Sequence, residues 1–548
     1  MWHQIYNPLA GSVWMSTLAA GLPILYFFWA LAFRRTKGHI AGLITVVLAL
    51  LISVLVYKMP VKMSVLSFVY GGAVGLFPIG WIIVTAVFLY KITVKTGKFD
   101  IIRASVTNLT DDHRLQALLI AFCFGAFLEG CAGFGTPVVI TAALLAGLGF
   151  RPLYAAGICL IANTAPVAFG AIGIPITVAG TISGLDPFKI SQMVGRQLPL
   201  LSIFVPFWLV FVMCGWKKTR EVMPAIFVTG GTFAIVQFLS SNFLGPELPD
   251  ILSSLICLLV LSFFLRIWKP KQTFRFDSIT NQTKATATEV AAATEVYSTG
   301  QILLAWSPFI LLTGFIVLWS IPAVKNFLNQ WTFKWSVPVL HQMVLKMPPI
   351  VTKPTPYDAV FTFDWLAAVG TAILIASFFS MFLVGMRFKT WLYTFGETLV
   401  ELRYPLLTIF SVLGLAYIFN YSGMSATLGL ALAKTGVLFP FFAPVLGWLG
   451  VFLSGSDTSS NALFGNLQKI TANQIGINPV LTVAANSSGG VTGKMISPQS
   501  IAVATASTGL VGKESDLFRF TIKHSLFLVL IICAITLLQA YVLKWMIP

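Results

Sequence analysis

The chain has 548 residues, of which 57% are hydrophobic and 10% charged, against roughly 45–50% apolar and about 25% charged in an ordinary soluble domain. That balance excludes a water-soluble enzyme and places the chain in a bilayer. The 35 Lys and Arg against 18 Asp and Glu give a formal charge of +17, which in a polytopic membrane protein reports loop orientation rather than a nucleic-acid partner.

An apolar helix needs about 20 residues to cross the hydrocarbon core, so this length supplies about 12 transmembrane helices and predicts an all-α polytopic membrane protein. Residues 1–33 hold no Lys or Arg. The first apolar stretch therefore lacks the basic flank of a cleaved signal and is read as a retained membrane helix. Apolar spans at 13–33 and 40–57 place N-terminal transmembrane helices in 1–63. Residues 64–267 form a first transport repeat, with a span at 65–89, an inner hairpin at 115–150, a broken helix at 153–185 and further spans at 197–215, 223–241 and 250–267. The polar, Thr/Ala-rich stretch 268–300 reads as a cytoplasmic linker with no core of its own. Scaffold helices at 302–321 and 364–386 fill 301–403, around an external loop at 322–363. Residues 404–548 form a second repeat: a span at 404–420, an interfacial helix near 423–438, an outer hairpin at 441–475, a broken helix at 478–507 and a last span at 525–546.

The hairpins follow from charge and parity. Segments 34–39, 91–114, 216–221, 266–300, 386–390 and 513–523 hold 21 Lys and Arg, against 9 in the candidate outer segments. Because short cytoplasmic loops collect basic residues, both termini are expected outside. Even crossing numbers between inner loops are then met only if 115–150 enters and returns from the cytoplasm and 441–475 from the outside. Opposed hairpins are the mark of inverted-topology repeats. Short internal matches agree. Phe127-Leu128-Glu129-Gly130 answers Phe452-Leu453-Ser454-Gly455, Ala162-Asn163 answers Ala485-Asn486, and Pro175 and Pro498 each follow that Ala by 13 residues.

Both blocks are crowded with Gly, Pro, Ser, Thr and Asn. Interrupted backbone is tolerated at membrane depth only against protein or a water-filled cavity, so these blocks are the expected pathway. Ionisable residues there are functional candidates by default. Glu129, at the break of the inner hairpin, either couples to protons or accepts backbone hydrogen bonds at the turn. Asp457, at the break of the outer hairpin, is the second proton-coupling candidate, or a helix cap. Around it Ser454, Ser456, Thr458 and Ser459 offer hydroxyls to a small anion beside a helix amino terminus. The two crossings are expected to unwind at Asn163-Thr164 and at Asn486-Ser487-Ser488, adding further substrate-binding candidates. Lys494, the one cation inside the last broken crossing, either neutralises a substrate carboxylate or pairs with Asp457; the alternative is a permanent buried pair or a snorkelling lysine.

Other chemistries find little footing. Cysteines 123, 131, 159, 214, 257 and 533 lie in apolar stretches without paired spacing, so no disulfide framework or zinc site is expected. The run Ser488 to Met495 fails as a phosphate loop because Ser488 and Met495 replace the required Gly and Ser/Thr. No cofactor, metal or enzymatic constellation emerges.

The motifs GAFLEGCAGFGTPV, LGFRPLYAAGICLIANTAPVAFGAIGIPI, SSNFLGPELPDI, GSDTSSNALFGNLQ, AANSSGGVTGKMISPQSIA and GLVGKESDLFRFTIKHS closely resemble the bacterial L-lactate permease family along essentially the whole chain. The chain departs from that family's pattern at Cys131 and Thr136, where small alanines are usual. The resemblance implies an inner-membrane symporter that imports L-lactate, glycolate and D-lactate with protons, and an ion-transporter-superfamily-like fold with opposed hairpins, broken helices and an elevator movement. A passive small-anion channel and a sodium-coupled monocarboxylate transporter remain the alternatives. The expected partners are a small 2-hydroxymonocarboxylate, protons and lipid; the oligomeric state stays open.

Overall fold

In lipid the backbone must satisfy its own hydrogen bonds, so apolar runs of this length become helices. The computed structural model describes the chain except for residues 33, 35, 108, 132, 134, 135, 277–296, 511 and 512. Helices α1 (Val13–Ala32), α2 (Gly38–Leu55) and α3 (Val61–Val74) open it, and an irregular turn at Phe77 separates α3 from α4 (Trp81–Lys95). A short α5 (Lys98–Thr107) leads to α6 (His113–Cys131), which makes a hairpin with α7 (Thr136–Gly147). The first interrupted helix pair is α8 (Pro152–Ala162) and α9 (Gly170–Ser183). Three long helices follow: α10 (Pro187–Glu221), α11 (Met223–Phe243) and α12 (Pro249–Ile267).

Beyond the linker come α13 (Thr299–Ser320), a short α14 (Pro322–Leu328), α15 (Val369–Leu383), α16 (Phe388–Ser422) and α17 (Met424–Ala433). The second hairpin is α18 (Phe439–Ser454) with α19 (Asp457–Gln474). A second interrupted helix pair is α20 (Pro479–Gly493) with α21 (Pro498–Ser507), and α22 (Glu514–Tyr541) is the last helix. Ten described helices are long and apolar enough to cross a membrane, or eleven when the bent α8–α9 pair is counted as one span. Most of the expected linker 268–300 lies outside the described residues. Its start is pinned to the base of α6, where the Arg114 guanidinium donates to the Gln272 carbonyl at 2.8 Å and pairs with Asp112.

The chain is mostly helical, as expected, and the stretch 322–363 carries short strands besides. Strands β2 (Phe333–Ser336) and β5 (Val360–Phe363) form an antiparallel pair, while β1 (Trp2–His3), β3 (Val344–Lys346) and β4 (Thr355–Pro356) form a small sheet. Cross-strand rings explain the first pair: Trp335 lies 6.1 Å from Phe361 and 6.2 Å from Phe363 between centroids, the contact type that stabilises two-stranded pairing.

The two breaks arise differently. In the first, the helix stops at Ala162, and Ala171, Ile172 and Gly173 take left-handed backbone before α9 resumes, with a bend of 63°. Gly173 is required there, because a Cβ would stand 2.2 Å from the Pro246 carbonyl oxygen. In the second, unwinding falls at Lys494–Ser497 and not at Asn486–Gly490, which stays helical within α20. Its glycines serve contact instead of flexibility. Cβ atoms at Gly489 and Gly493 would come 2.1 and 2.4 Å from the Pro444 and Trp448 carbonyl oxygens, and one at Gly447 would come 1.8 Å from that of Asn486. Such small-residue faces let helix backbones approach in a bilayer.

Candidate functional site

The second hairpin turn shows why serine, aspartate and glycine cluster. α18 ends at Gly455 in left-handed backbone (φ 72°), where a Cβ would meet Gln499 Oε1 at 2.5 Å. Ser456 then caps α19, its hydroxyl accepting from the Ser459 N–H at 3.3 Å. Asp457 sits in the first turn, its carboxylate accepting from the Ser487 hydroxyl and, at 3.3 Å, from Asn461 Nδ2. Its second oxygen, Oδ1, has no partner among the described residues. At the second break Ser497 caps α21, its hydroxyl accepting from the Ser500 N–H at 3.2 Å. Two helix amino termini, each carrying the positive end of a dipole, thus stand side by side.

They face one cavity of about 1030 Å³. Glu129 enters it from α6 and Lys494 from the second break, and Lys494 Nζ donates to Glu129 Oε1 at 2.6 Å. Both are buried, 3% and 8% exposed, and Glu129 Oε2 has no partner among the described residues. Glu129 also abuts the first break, where a Cβ on Gly170 would lie 2.7 Å from Oε1. One ion pair therefore joins the first hairpin, the first break and the second break. Toward solvent the cavity is edged by the exposed Tyr404 and Arg519.

The placement of the expected residues is mixed. Ser454, Ser456, Thr458, Ser459, Lys494, Glu129 and Asp457 all line the cavity. Asn163, Thr164, Asn486, Ser487 and Ser488 are not part of its wall; all five are buried. Asn486 Nδ2 donates to Asn461 Oδ1 at 2.9 Å, and Asn486 Oδ1 accepts from Gln468 at 3.1 Å, so it belongs to a bracing network. The side chains of Asn163 and Thr164 and the Ser488 hydroxyl have no partner among the described residues. Of the readings open for Lys494, a pair with Asp457 is not what the structure holds: its ion-pair partner is Glu129. A charge count along α20 and α21 cannot see this partner, which comes from the other half of the chain.

Sequence reasoning met Asn461 only as a member of the polar cluster around Asp457, and it passed over Gln468 and Asp250. Asn461 and Gln468 follow Asp457 on α19 at helical spacing; Asn461 Nδ2 reaches the Pro175 carbonyl at 3.1 Å, tying α19 to α9. Asp250 is 1% exposed in the first turn of α12, where its Cβ would stand 2.8 Å from a Cβ on Gly130. The available signal was an acid two residues beyond Leu248 in the otherwise uncharged run that follows Glu247 in SSNFLGPELPDI.

Comparison with known proteins agrees with a transport reading of this arrangement. A family profile described as L-lactate permease matches residues 16–543. The L-lactate permease of Bacillus subtilis strain 168 is 59% identical over 568 aligned positions that cover 100% of both chains. The glycolate permease GlcA of Escherichia coli K12 is 56% identical over 555 positions, covering 100% of this chain and 99% of its own. Among solved structures, Neisseria gonorrhoeae MtrF, described as illuminating a class of antimetabolite efflux pumps, superposes with a TM-score of 0.50 at 14% identity, covering 95% of this chain and 98% of its own. That likeness is one of fold.

Proposed function

The chain belongs to the L-lactate permease family, and on that premise we propose that it imports L-lactate, with glycolate and D-lactate, together with protons across the bacterial cytoplasmic membrane. It is a multi-pass membrane transporter and not an enzyme. About twelve crossings in two inverted-topology repeats, 64–267 and 404–548, would place both termini outside. The Lys and Arg balance of the loops supports that orientation. On this reading the cavity edged by Arg519 and Tyr404 opens to the cytoplasm.

The observation that carries the proposal is the buried Lys494–Glu129 pair between two helix amino termini in a water-accessible cavity. A 2-hydroxycarboxylate brings one negative charge into a site that already balances its own. Its carboxylate would share Lys494 with Glu129 and lie against the N–H groups and hydroxyls of Ser456, Thr458 and Ser459, where dipole and hydroxyls replace hydration. Three carboxylates line the cavity, Glu129, Asp457 and Glu514, and the coupled proton is assigned to the two buried ones, Glu129 and Asp457. Asn163, Thr164, Asn486, Ser487 and Ser488, behind the wall, are assigned to the substrate 2-hydroxyl once the turns close.

The test is uptake of labelled L-lactate into proteoliposomes under imposed gradients. Accumulation driven by an inward proton gradient and abolished by an uncoupler is expected, with at least a tenfold loss of that accumulation in Glu129→Gln or Asp457→Asn. Downhill flux indifferent to protons would make the protein a passive anion channel. Accumulation driven by sodium would make it a sodium-coupled carrier.

A further inference from the structure

Asp250 is a buried carboxylate beside this site that the mechanism above does not use. Both its oxygens lie below the surface without a hydrogen-bond partner among the described residues. The titratable groups acting on it are Glu129 and Cys131 from α6 and Lys494 from the second break. α9 and α11, the other helices of its surroundings, carry no charged residue. It follows Glu129 by one step along the packing, because Gly130 is the residue whose Cα faces it. Unlike Glu129, it is no part of the cavity wall.

A carboxylate without donors in a dry site is costly, whereas its protonated form is tolerated. The same side chain also sits in the first turn of α12, where free N–H groups and the helix dipole can hold a negative charge after a small rotation. The site thus suits a group that alternates between two protonation states.

We propose that Asp250 is the inner station of the coupled proton. This rests on the symport reading above. The proton reaches Glu129 from cavity water and passes to Asp250: the Glu129 O–H bond breaks, an Asp250 O–H bond forms, and Glu129 is again an anion for Lys494. The charge balance closes. The empty carrier holds Lys494 positive with Glu129 and Asp250 negative. The loaded carrier holds Lys494 positive with Glu129 and the substrate carboxylate negative and Asp250 neutral. Both states carry the same net charge, so substrate crosses at no added electrostatic cost.

The experiment compares wild type, Asp250→Asn and Asp250→Glu in proteoliposomes, in two modes. Net accumulation under a proton gradient needs the proton to bind and leave; lactate counterflow with equal lactate on both sides needs only the loaded carrier. For Asp250→Asn, which fixes the neutral form, accumulation is expected to fall at least tenfold while counterflow stays above half of wild type. Asp250→Glu is expected to restore accumulation with a displaced pH of half-maximal uptake. Proton-driven accumulation in Asp250→Asn equal to wild type overturns the proposal, as does equal loss of both modes in a folded protein. Should Asp250→Asn fail to fold, a wild-type pH profile in Asp250→Glu overturns it. A wild type indifferent to protons overturns the symport reading instead.

Discussion

Removing Lys494 isolates the energetic role of the ion pair. In Lys494→Met the Glu129 carboxylate, 3% exposed and already short of a partner at Oε2, loses its one salt bridge at 2.6 Å. Breaking one side of a buried pair typically costs about 3–5 kcal/mol, because an uncompensated charge stays behind, while replacing both sides is far cheaper. Glu129→Gln strands the ammonium of Lys494 in the same way. The double variant Glu129→Gln/Lys494→Met carries no stranded charge and is expected within about 1.5 kcal/mol of wild type, giving a coupling of at least ~2 kcal/mol between the two positions. Denaturation in detergent micelles for all four proteins reads this cycle. None of the three variants should accumulate lactate, so lost activity must not be mistaken for lost folding. Single-variant losses that simply add in the double variant would refute the pairing and with it the placement of Lys494.

Two further outcomes follow from packing and from the β-sheet region. Gly447→Ala drives a Cβ into the Asn486 carbonyl and should cost about 1–3 kcal/mol by overpacking, whereas Gly314→Ala in α13, with nothing within 4 Å, should be neutral or stabilising by up to ~1 kcal/mol; thermal unfolding in detergent compares them. Burial pushes the Lys346 ammonium below its ordinary value of 10.5, with Asp358 partly opposing. The unfolded chain therefore binds more protons than the folded one between that lowered value and 10.5, and stability should rise with pH across this window. Lys346→Met should flatten that slope in alkaline melting curves.

Helix positions were legible because a bilayer leaves apolar runs few alternatives. The turn between α18 and α19 was legible too, since Gly455, Ser456 and Asp457 are residues that end one helix and start another. The second break was misplaced for a physical reason. Glycine both loosens backbone and admits a neighbouring helix, and in Asn486–Gly490 the second use prevails. Composition does not separate the two without knowing that α18 lies alongside. Asp250 was hidden by position: an acid in a helix's first turn resembles an interfacial cap, and only the packing of α6 against it reveals its burial. The strands between α13 and α15 depend on pairing between distant segments, with Trp2 opposite Val344, and no local pattern announces that.

The volume of the cavity constrains how the transporter selects its cargo. About 1030 Å³ holds some tens of waters at roughly 30 Å³ each, far more room than a three-carbon acid fills. Shape cannot sort molecules at this stage, so on the proposed binding at Lys494 discrimination would fall to the walls drawing together around the bound acid. Aryl-substituted 2-hydroxy acids should therefore enter and engage the lysine yet obstruct that contraction, acting as one-sided competitive blockers instead of being carried.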